Sequence, residues 1–226
     1  MMMFLRTGWM VGNVGWGGAI AIVLFANLIT FITALSLSSM ATNMRVGVGG
    51  AYYIISRSLG LEVGGAIGIP LFLSQVLSVT LYAYGLVEAI RNTLWAGVPQ
   101  MPLAALIVVA VTLVADKSTE LALKLQLPLM ALILASLVSL FLGAEWDSMK
   151  VPLVGTMSDG GFWRTFAIFF PAVTGILAGV SLSGDLADPG RSIPRGVLSA
   201  VGVGLAVYLL VPLALGASLT APVLLD

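Results

Sequence analysis

The stretch F-F-P-A-V-T-G-I-L-A-G, from Phe169 to Gly179, decides the fold of this chain. It lies inside an apolar segment from about Phe162 to Leu182, and roughly 20 apolar residues cross the ~30 Å hydrocarbon core of a bilayer. Pro171 removes a backbone donor near the middle of this segment, and Gly175 weakens the helix there. A break at this depth is tolerated only where it is buried in protein or lines a cavity. The stretch therefore predicts a discontinuous membrane helix, with a simple proline kink as the alternative.

A discontinuous helix would present two kinds of backbone group in the middle of the membrane. The half-helix that ends near Pro171 would offer free carbonyl oxygens to a cation. The half-helix that starts near Gly175 would offer free N–H groups and the positive end of a helix dipole to an anion. The break is therefore the first place to look for a binding site.

The composition is that of a membrane protein. Hydrophobic residues make up 59% of the chain, charged residues 9%, and the mean hydropathy is +1.09, whereas soluble domains carry about 25% charged residues. The lipid bilayer is therefore the expected surrounding. The formal net charge is zero, so nothing indicates a nucleic-acid partner. The absence of cysteine and histidine excludes disulfides, thiol catalysis and most zinc sites. We expect no cofactor, no transition-metal site and no enzymatic activity.

Residues 1–226 are predicted to form one membrane domain with about seven segments, of which the first resembles the second half of a helix. The predicted segments are Met1–Val14, Ala19–Met40, Ala66–Ile90, Pro102–Ala115, Leu125–Gly143, Phe162–Leu182 and Val197–Leu219. The second segment carries polar side chains, among them Asn27 and Thr30, which we interpret as interhelical hydrogen-bonding groups rather than ligands.

Four connections have distinctive sequences. The glycine-rich run Gly12–Gly18 predicts a turn, and Thr42–Gly65 predicts a structured loop that contains a short helix at the membrane interface. Asp116–Lys124 is a charged connection, and Gly184–Gly196 predicts a polar loop. We reject a nucleotide-binding loop in Thr42–Gly65, because no G-K-[ST] follows its glycines and no strand precedes them.

Several of these stretches resemble one known family. The sequence F-F-P-A-V-T-G-I-L-A-G-V-S-L-S-G-D-L-A-D-P-G-R-S-I-P-R-G (Phe169–Gly196) resembles the sixth membrane helix and following loop of the cation–chloride cotransporters. M-F-L-R-T-G-W-M-V-G-N-V-G (Met3–Gly15) is similar to their first helix. A-T-N (Ala41–Asn43) and G-G-A-Y-Y-I-I-S-R-S-L-G (Gly49–Gly60) are similar to their loop between helices two and three. The matches are ordered and span nearly the whole chain.

The resemblance implies an all-α membrane protein with the LeuT-type inverted-repeat fold, in which helices one and six are discontinuous. The wider relatives of the family are the amino acid–polyamine–organocation transporters. The resemblance also implies a transporter of twelve helices. This chain would contain the second half of helix one through helix seven, so the fold would be incomplete.

The resemblance implies a potassium site made of Tyr82, Pro171 and Thr174. A phenol, a carbonyl and a threonine hydroxyl supply neutral oxygens without burying a carboxylate, which is chemistry that suits potassium. Tyr84 faces another side of the same helix and serves as a comparison. The remaining carbonyls of this site would precede Met1.

The resemblance also implies two chloride sites. The first uses backbone amides at Gly175, Ile176 and Leu177, and the second uses amides at the break in helix one, where only Met1 and Met2 correspond. The serines of the family's sodium site would follow Asp226, so the sequence leaves open whether sodium is also coupled.

Charged residues near the segment ends are interpreted as structural or gating groups. Arg6, Glu88 and Asp185 are the three in question, because long side chains at helix ends can reach the interface or pair with each other. A loop network is expected from four residues: Asp185, Asp188, Arg191 and Arg195.

The predicted function is secondary active transport of chloride together with an alkali cation, with potassium as the first candidate and sodium as a further one. The protein is expected to be a multi-pass protein of the plasma (inner) membrane, with a homodimer as a candidate assembly. Two alternatives stay open. One is an amino-acid permease on the same fold, whose substrate carboxylate would use the amides of Gly175–Leu177; the other is a non-transporting fragment.

Overall fold

The computed structural model describes residues 2–43, 49–95, 97–117, 119–146, 148–157, 160–181, 186 and 188–225. These residues form helices and connections, and no strand occurs among them. The helices are α1 (Met2–Asn43), α2 (Gly50–Leu59), α3 (Leu61–Thr93), α4 (Gln100–Lys117), α5 (Thr119–Gly143), α6 (Gly161–Phe169), α7 (Ile176–Ser181), α8 (Pro189–Ser218) and α9 (Ala221–Leu225).

Among the described residues, five stretches of helix have the length and apolar composition needed to cross a membrane. They are Arg6–Asn43, Leu61–Thr93, Gln100–Lys117, Gln126–Gly143 and Pro189–Ser218. The prediction of an all-α membrane protein is confirmed. The division into about seven segments of a single domain stays a prediction.

Helices α1 and α8 form the centre of the described structure. Within an apolar stretch of 18 residues in each helix, 33% of α1 and 28% of α8 is buried, whereas the corresponding share is 6% in each of α3, α4 and α5. One core cluster joins the first part of α1 to α6 and α9, through residues such as Met10, Phe169 and Leu224. A second cluster joins the last part of α1 to α2 and α8, through residues such as Ile54 and Ile193. The outer helices therefore present apolar side chains outwards, as a lipid environment requires.

Helix α1 bends at a single residue. Its 42 residues would extend about 63 Å as a straight helix, and Gly15 interrupts it with φ 79° and ψ 168°. This positive φ favours glycine, because a Cβ would clash with the backbone. The predicted turn over Gly12–Gly18 is therefore too long, since the neighbouring glycines keep helical geometry and Gly15 alone makes the bend.

The backbone groups released at Gly15 pair with the connection between α5 and α6. Residues 152–157 run against the bend, as an extended segment whose own polar groups find partners there. The bonds are Trp16 N to Pro152 O (3.3 Å), Gly17 N to Leu153 O (3.0 Å), Gly155 N to Val14 O (2.9 Å) and Met157 N to Asn13 O (3.0 Å). Next to them, the fully buried Asn13 donates through Nδ2 to Thr165 Oγ1 of α6 at 2.9 Å. The bend is thus held to the start of the sixth predicted segment.

Two other boundaries differ from the sequence prediction. Helix α8 begins at Pro189, inside the predicted loop Gly184–Gly196, because Asp188 caps it by accepting from Arg191 N at 3.3 Å and proline suits the first helical position. The charged connection Asp116–Lys124 is helical on both sides of residue 118. The short helix expected within Thr42–Gly65 is confirmed as α2. Helix α9 was not predicted.

Two of the predicted charge contacts are present. Arg6 of α1 lies 3.6 Å from Glu88 of α3, and Arg191 lies 3.7 Å from Asp188. The Asp185 interpretation lies outside the described residues.

A further pair lies in the α5–α6 connection, where Lys150 Nζ is 2.6 Å from Glu145 Oε2. The hydrogen bond from Lys150 holds the pKa of Glu145 below its ordinary value. The contribution of this pair to stability is therefore present at neutral pH, and it is lost as the pH falls through that lowered pKa.

We predict that Gly15→Ala destabilises the protein strongly. A Cβ at this position would lie 2.6 Å from Pro152 O and from Gly155 N, at a backbone φ that L-residues avoid. We expect the free energy of unfolding to fall by at least about 2 kcal/mol, measured as a lower midpoint for thermal loss of the monodisperse peak of the purified protein in detergent.

The matched control is Gly202→Ala on the exposed side of α8, where a Cβ meets nothing within 4 Å. Alanine favours a helix over glycine, so this variant should melt at or slightly above the wild-type temperature. Equal melting of the two alanine variants would contradict the role given to Gly15.

Candidate functional site

The sixth predicted segment is broken in the middle. Helix α6 ends at Phe169, a 3₁₀ turn covers Phe170–Val173, and α7 begins at Ile176. Between them, Thr174 is extended, with φ −83° and ψ 173°, and Gly175 has φ 112°. Pro171 lies at the first positions of the 3₁₀ turn, where it has no N–H to continue the hydrogen bonding of α6. The predicted discontinuous helix is therefore present, and the simple kink is excluded.

Each of three consecutive carbonyls at the break accepts a hydrogen bond from a different hydroxyl group. The bonds are Thr174 Oγ1 to Pro171 O (2.7 Å), Tyr208 Oη to Ala172 O (2.6 Å) and Thr30 Oγ1 to Val173 O (3.3 Å); Thr30 shares its one hydroxyl hydrogen between Val173 O and Ala26 O of its own helix (3.2 Å). The hydroxyls come from the break itself, from α8 and from α1. An interrupted helix inside a membrane needs such partners, because lipid supplies none. The break is thus stabilised by side chains of α1 and α8 as well as by its own Thr174.

Aromatic packing positions α6 and Tyr208. The ring of Tyr208 meets Phe169 edge-on, with centroids 5.8 Å apart. On another side of α6, Phe166 packs 5.4 Å from Phe25 of α1 and 5.4 Å from Phe170. Such pairs add roughly 0.5–1.5 kcal/mol each beyond the burial of their area. The end of α6 is therefore fixed against both α1 and α8.

A cavity of about 290 Å³ lies between α1, the break and α8. Its polar and break-side lining consists of Asn27, Thr30, Thr174, Gly175, Ile176 and Tyr208. The α8 side includes Gly196, Ala200 and Gly204, whose spacing of four residues places them on one helix face. Small residues on that face leave the space that the cavity occupies. No charged residue is among those that line it.

The two ends of the break differ in their electrical character. The 3₁₀ turn presents carbonyl oxygens together with hydroxyls, whereas α7 begins with backbone N–H groups that have no acceptor within their own helix. Gly175 and Ile176 line the cavity at this amide end, and a Cβ at Gly175 would meet nothing within 4 Å. The arrangement can therefore offer oxygens to a cation and amides to an anion within a short distance.

The structure brings most of the predicted site residues together. Pro171, Thr174 and the Gly175–Leu177 amides lie at the break. Tyr82 lies on α3, is 56% exposed and is not among the residues that line the cavity. Met2 begins α1, and Met1 lies outside the described residues. The assignment of ions to all these residues stays a prediction.

The sequence interpretation did not include Tyr208. Its role depends on a contact across 36 positions with Ala172, which no local pattern indicates. Thr30 was interpreted as an interhelical hydrogen-bonding group, and its bond to Val173 O confirms this. Asn27 instead donates within its own helix, to Val23 O at 2.9 Å. A signal for the cavity was available in the four-residue spacing of small residues on α8.

Comparison with known proteins identifies related chains. The family model described as "Amino acid permease" matches residues 1–223. Solute carrier family 12 member 1 of Homo sapiens is 35% identical over 242 residues, which cover 96% of this chain and 22% of that protein. Solute carrier family 12 member 2 of Squalus acanthias is 35% identical over 232 residues, which cover 92% of this chain and 20% of that protein. The chain thus spans about a fifth of the length of the curated relatives it matches.

These similarities confirm the resemblance to the cation–chloride cotransporters that the motifs indicated. Membership of a permease family also agrees with the LeuT-type fold, and the relatives are named as solute carriers rather than as enzymes. The apolar helices together with this relationship identify an integral, multi-pass membrane protein. From the family match over nearly its whole length, the chain belongs to the amino acid permease family.

Proposed function

We propose that this chain forms the ion-binding half-site of a secondary active transporter that moves chloride together with an alkali cation. One observation carries the proposal: within the broken segment, hydroxyl-bonded carbonyls lie directly before a helix start. This arrangement provides neutral oxygens and backbone amides side by side without any buried carboxylate in the cavity. The relatives in solute carrier family 12 support the same interpretation.

Potassium is the proposed cation, with sodium as a further candidate. Pro171 O accepts from Thr174 Oγ1 at 2.7 Å and, more weakly, from Thr174 N at 3.4 Å, so the hydroxyl oxygen of Thr174 is the atom of this pair that keeps free lone pairs, and Pro171 O would turn towards an ion by giving up the longer bond. The phenol of Tyr82 is the proposed third oxygen. Neutral oxygens hold a monovalent cation weakly enough to release it, as transport requires.

Chloride is proposed to bind the amides of Gly175, Ile176 and Leu177, with a second site at the start of α1 near Met1 and Met2. Gly175 has the conformation that turns the chain from the 3₁₀ turn into α7. The positive end of the α7 dipole favours an anion there. A cation at the carbonyl end and an anion at the amide end would attract each other, which gives a physical reason for coupled, electroneutral movement.

An amino-acid permease is the second candidate, and the size of the cavity favours it. Its volume of about 290 Å³ is near the lower end of the roughly 300–1,000 Å³ typical of small-molecule pockets. An amino-acid carboxylate would use the same amides at Gly175–Leu177.

We propose the plasma (inner) membrane as the location of the protein. A homodimer is the proposed candidate for its assembly, since the outer faces of α3–α5 are apolar and little buried.

The first test is uptake of labelled rubidium into vesicles that carry the protein, with either chloride or gluconate outside. Rubidium stands in for potassium. We expect uptake only with chloride, because occupation of the amide end should support occupation of the carbonyl end. Rubidium uptake that does not depend on chloride and falls when amino acids are added would favour the permease. The absence of both rubidium uptake and amino-acid uptake would favour a non-transporting fragment.

Substitutions of two oxygen-bearing residues test the cation site. We predict that Thr174→Ala and Tyr82→Phe each raise the rubidium concentration for half-maximal uptake by about tenfold, since one lost oxygen contact costs roughly 1–1.5 kcal/mol. Tyr84→Phe is the matched control on α3 and should leave this concentration unchanged. If both variants behave like Tyr84→Phe, the proposed cation site is wrong.

The chloride site is tested at Gly175. We predict that Gly175→Ala weakens the dependence of uptake on chloride, because a φ of 112° strains any residue with a Cβ by about 1–3 kcal/mol and the amides would reorient. Half-saturating chloride should rise by about tenfold or more, with Gly202→Ala of α8 as the control. A Gly175→Ala variant with unchanged chloride dependence would argue against these amides as ligands.

A further inference from the structure

Asn27 has an unpaired oxygen that is directed to the cavity between α1, the break and α8. The residue is 4% exposed, and it lines this cavity. Its amide group is oriented by the bond from Nδ2 to Val23 O at 2.9 Å, because a carbonyl can only accept a hydrogen bond. Oδ1 receives no hydrogen bond from any residue that the structure describes, so both of its lone pairs are available, and Nδ2 keeps one further hydrogen.

The hydroxyl groups around the same cavity are also restricted to the role of acceptors. Thr30, Thr174 and Tyr208 line it, and the hydrogen of each hydroxyl is already donated to a carbonyl of the break or of α1. What these oxygens can still offer is lone pairs. Away from the amide end, the polar wall of the cavity therefore offers the oxygens of four side chains as acceptors against one remaining N–H of Asn27, which suits a cation better than an anion.

The uncharged lining of the cavity limits the charge of a cation that can bind there. None of the residues that line the cavity is charged, so no carboxylate compensates the loss of hydration that a divalent ion would suffer. A monovalent ion loses less hydration and can be held by neutral oxygens alone. The oxygens of Asn27 and Thr30 come from α1 and that of Tyr208 comes from α8, whereas Tyr82 belongs to α3.

We propose that the cavity contains a second site for a monovalent cation, formed by Asn27 Oδ1 and the hydroxyl oxygens of Thr30 and Tyr208. The inference rests on the proposed function for the class of ion, an alkali cation. It differs from the Pro171–Thr174–Tyr82 set in the elements that supply its oxygens, which are α1 and α8 rather than the break and α3. Because Thr30 and Tyr208 also hold carbonyls of the break, occupation of this site stabilises the broken conformation.

The experiment measures cation-dependent thermal stability of the purified protein in sodium, potassium or rubidium chloride, against N-methyl-D-glucamine chloride. A bound ion raises the unfolding midpoint by mass action. We expect wild type to be stabilised by at least one alkali cation, and Asn27→Leu to require at least about ten times more of it. Thr33→Val is the matched control on α1, because its hydroxyl is exposed and bonds within its own helix to Ile29 O; its response should equal that of wild type.

A second variant keeps the test decisive if Asn27→Leu folds poorly. Asn27→Asp keeps the shape but replaces the Nδ2 donor with a carboxyl oxygen beside Val23 O; measured at alkaline pH, where this carboxyl is ionised, it should bind the cation more tightly than wild type if the cavity is a cation site. Weaker or unchanged cation dependence in Asn27→Asp overturns the inference. So does wild-type dependence in a folded Asn27→Leu variant.

Rubidium uptake separates this inference from the proposed function. If Asn27→Leu loses its cation-dependent stabilisation although wild type shows no chloride-dependent uptake, the second site stands and the cotransport proposal fails. If wild type shows chloride-dependent uptake and Asn27→Leu responds to cations as wild type does, cotransport stands and the second site fails.

Discussion

Backbone groups that lie inside a membrane without a helical partner must find one in the protein, and the rest of this structure depends on that constraint. At Phe170–Val173 the helix changes to a 3₁₀ turn, and the carbonyls at its end accept hydroxyls from three different parts of the chain. Each of these bonds replaces one that water would otherwise make. The break therefore persists only while α1 and α8 stay packed against it, and these two are the most buried of the five membrane-length helices described.

The same constraint operates a second time at Gly15. There the helix is interrupted by a positive φ, and the connection between α5 and α6 supplies the missing partners in four backbone bonds. Asn13 and Thr165 then join the bend to α6 through a buried side-chain bond. The two interrupted regions are thus held to each other through α6, so the position of one influences the position of the other.

The hydrogen bonds at the break also determine which donor and acceptor groups remain for a ligand. Since the hydroxyl hydrogens of Thr30, Thr174 and Tyr208 are donated to carbonyls, these side chains can act only as acceptors towards a ligand. Donors come from the backbone at the start of α7, where Gly175 turns the chain. Structural stabilisation and ligand selection therefore use the same atoms: the bonds that hold the break together leave lone pairs at one end and amides at the other.

Much of this follows from the sequence. Pro171 and Gly175 inside an apolar segment predicted the discontinuous helix, because the backbone effects of proline and glycine are local. The family motifs identified the fold, and the short helix α2 was expected. Three features were not accessible: the bend at Gly15 alone, the bond from Tyr208 to Ala172, and the cavity beside Asn27. The sequence by itself determined where helices form and break, since those preferences lie within a few residues. Only the tertiary structure decided which distant hydroxyl meets which carbonyl, because that depends on how whole helices pack.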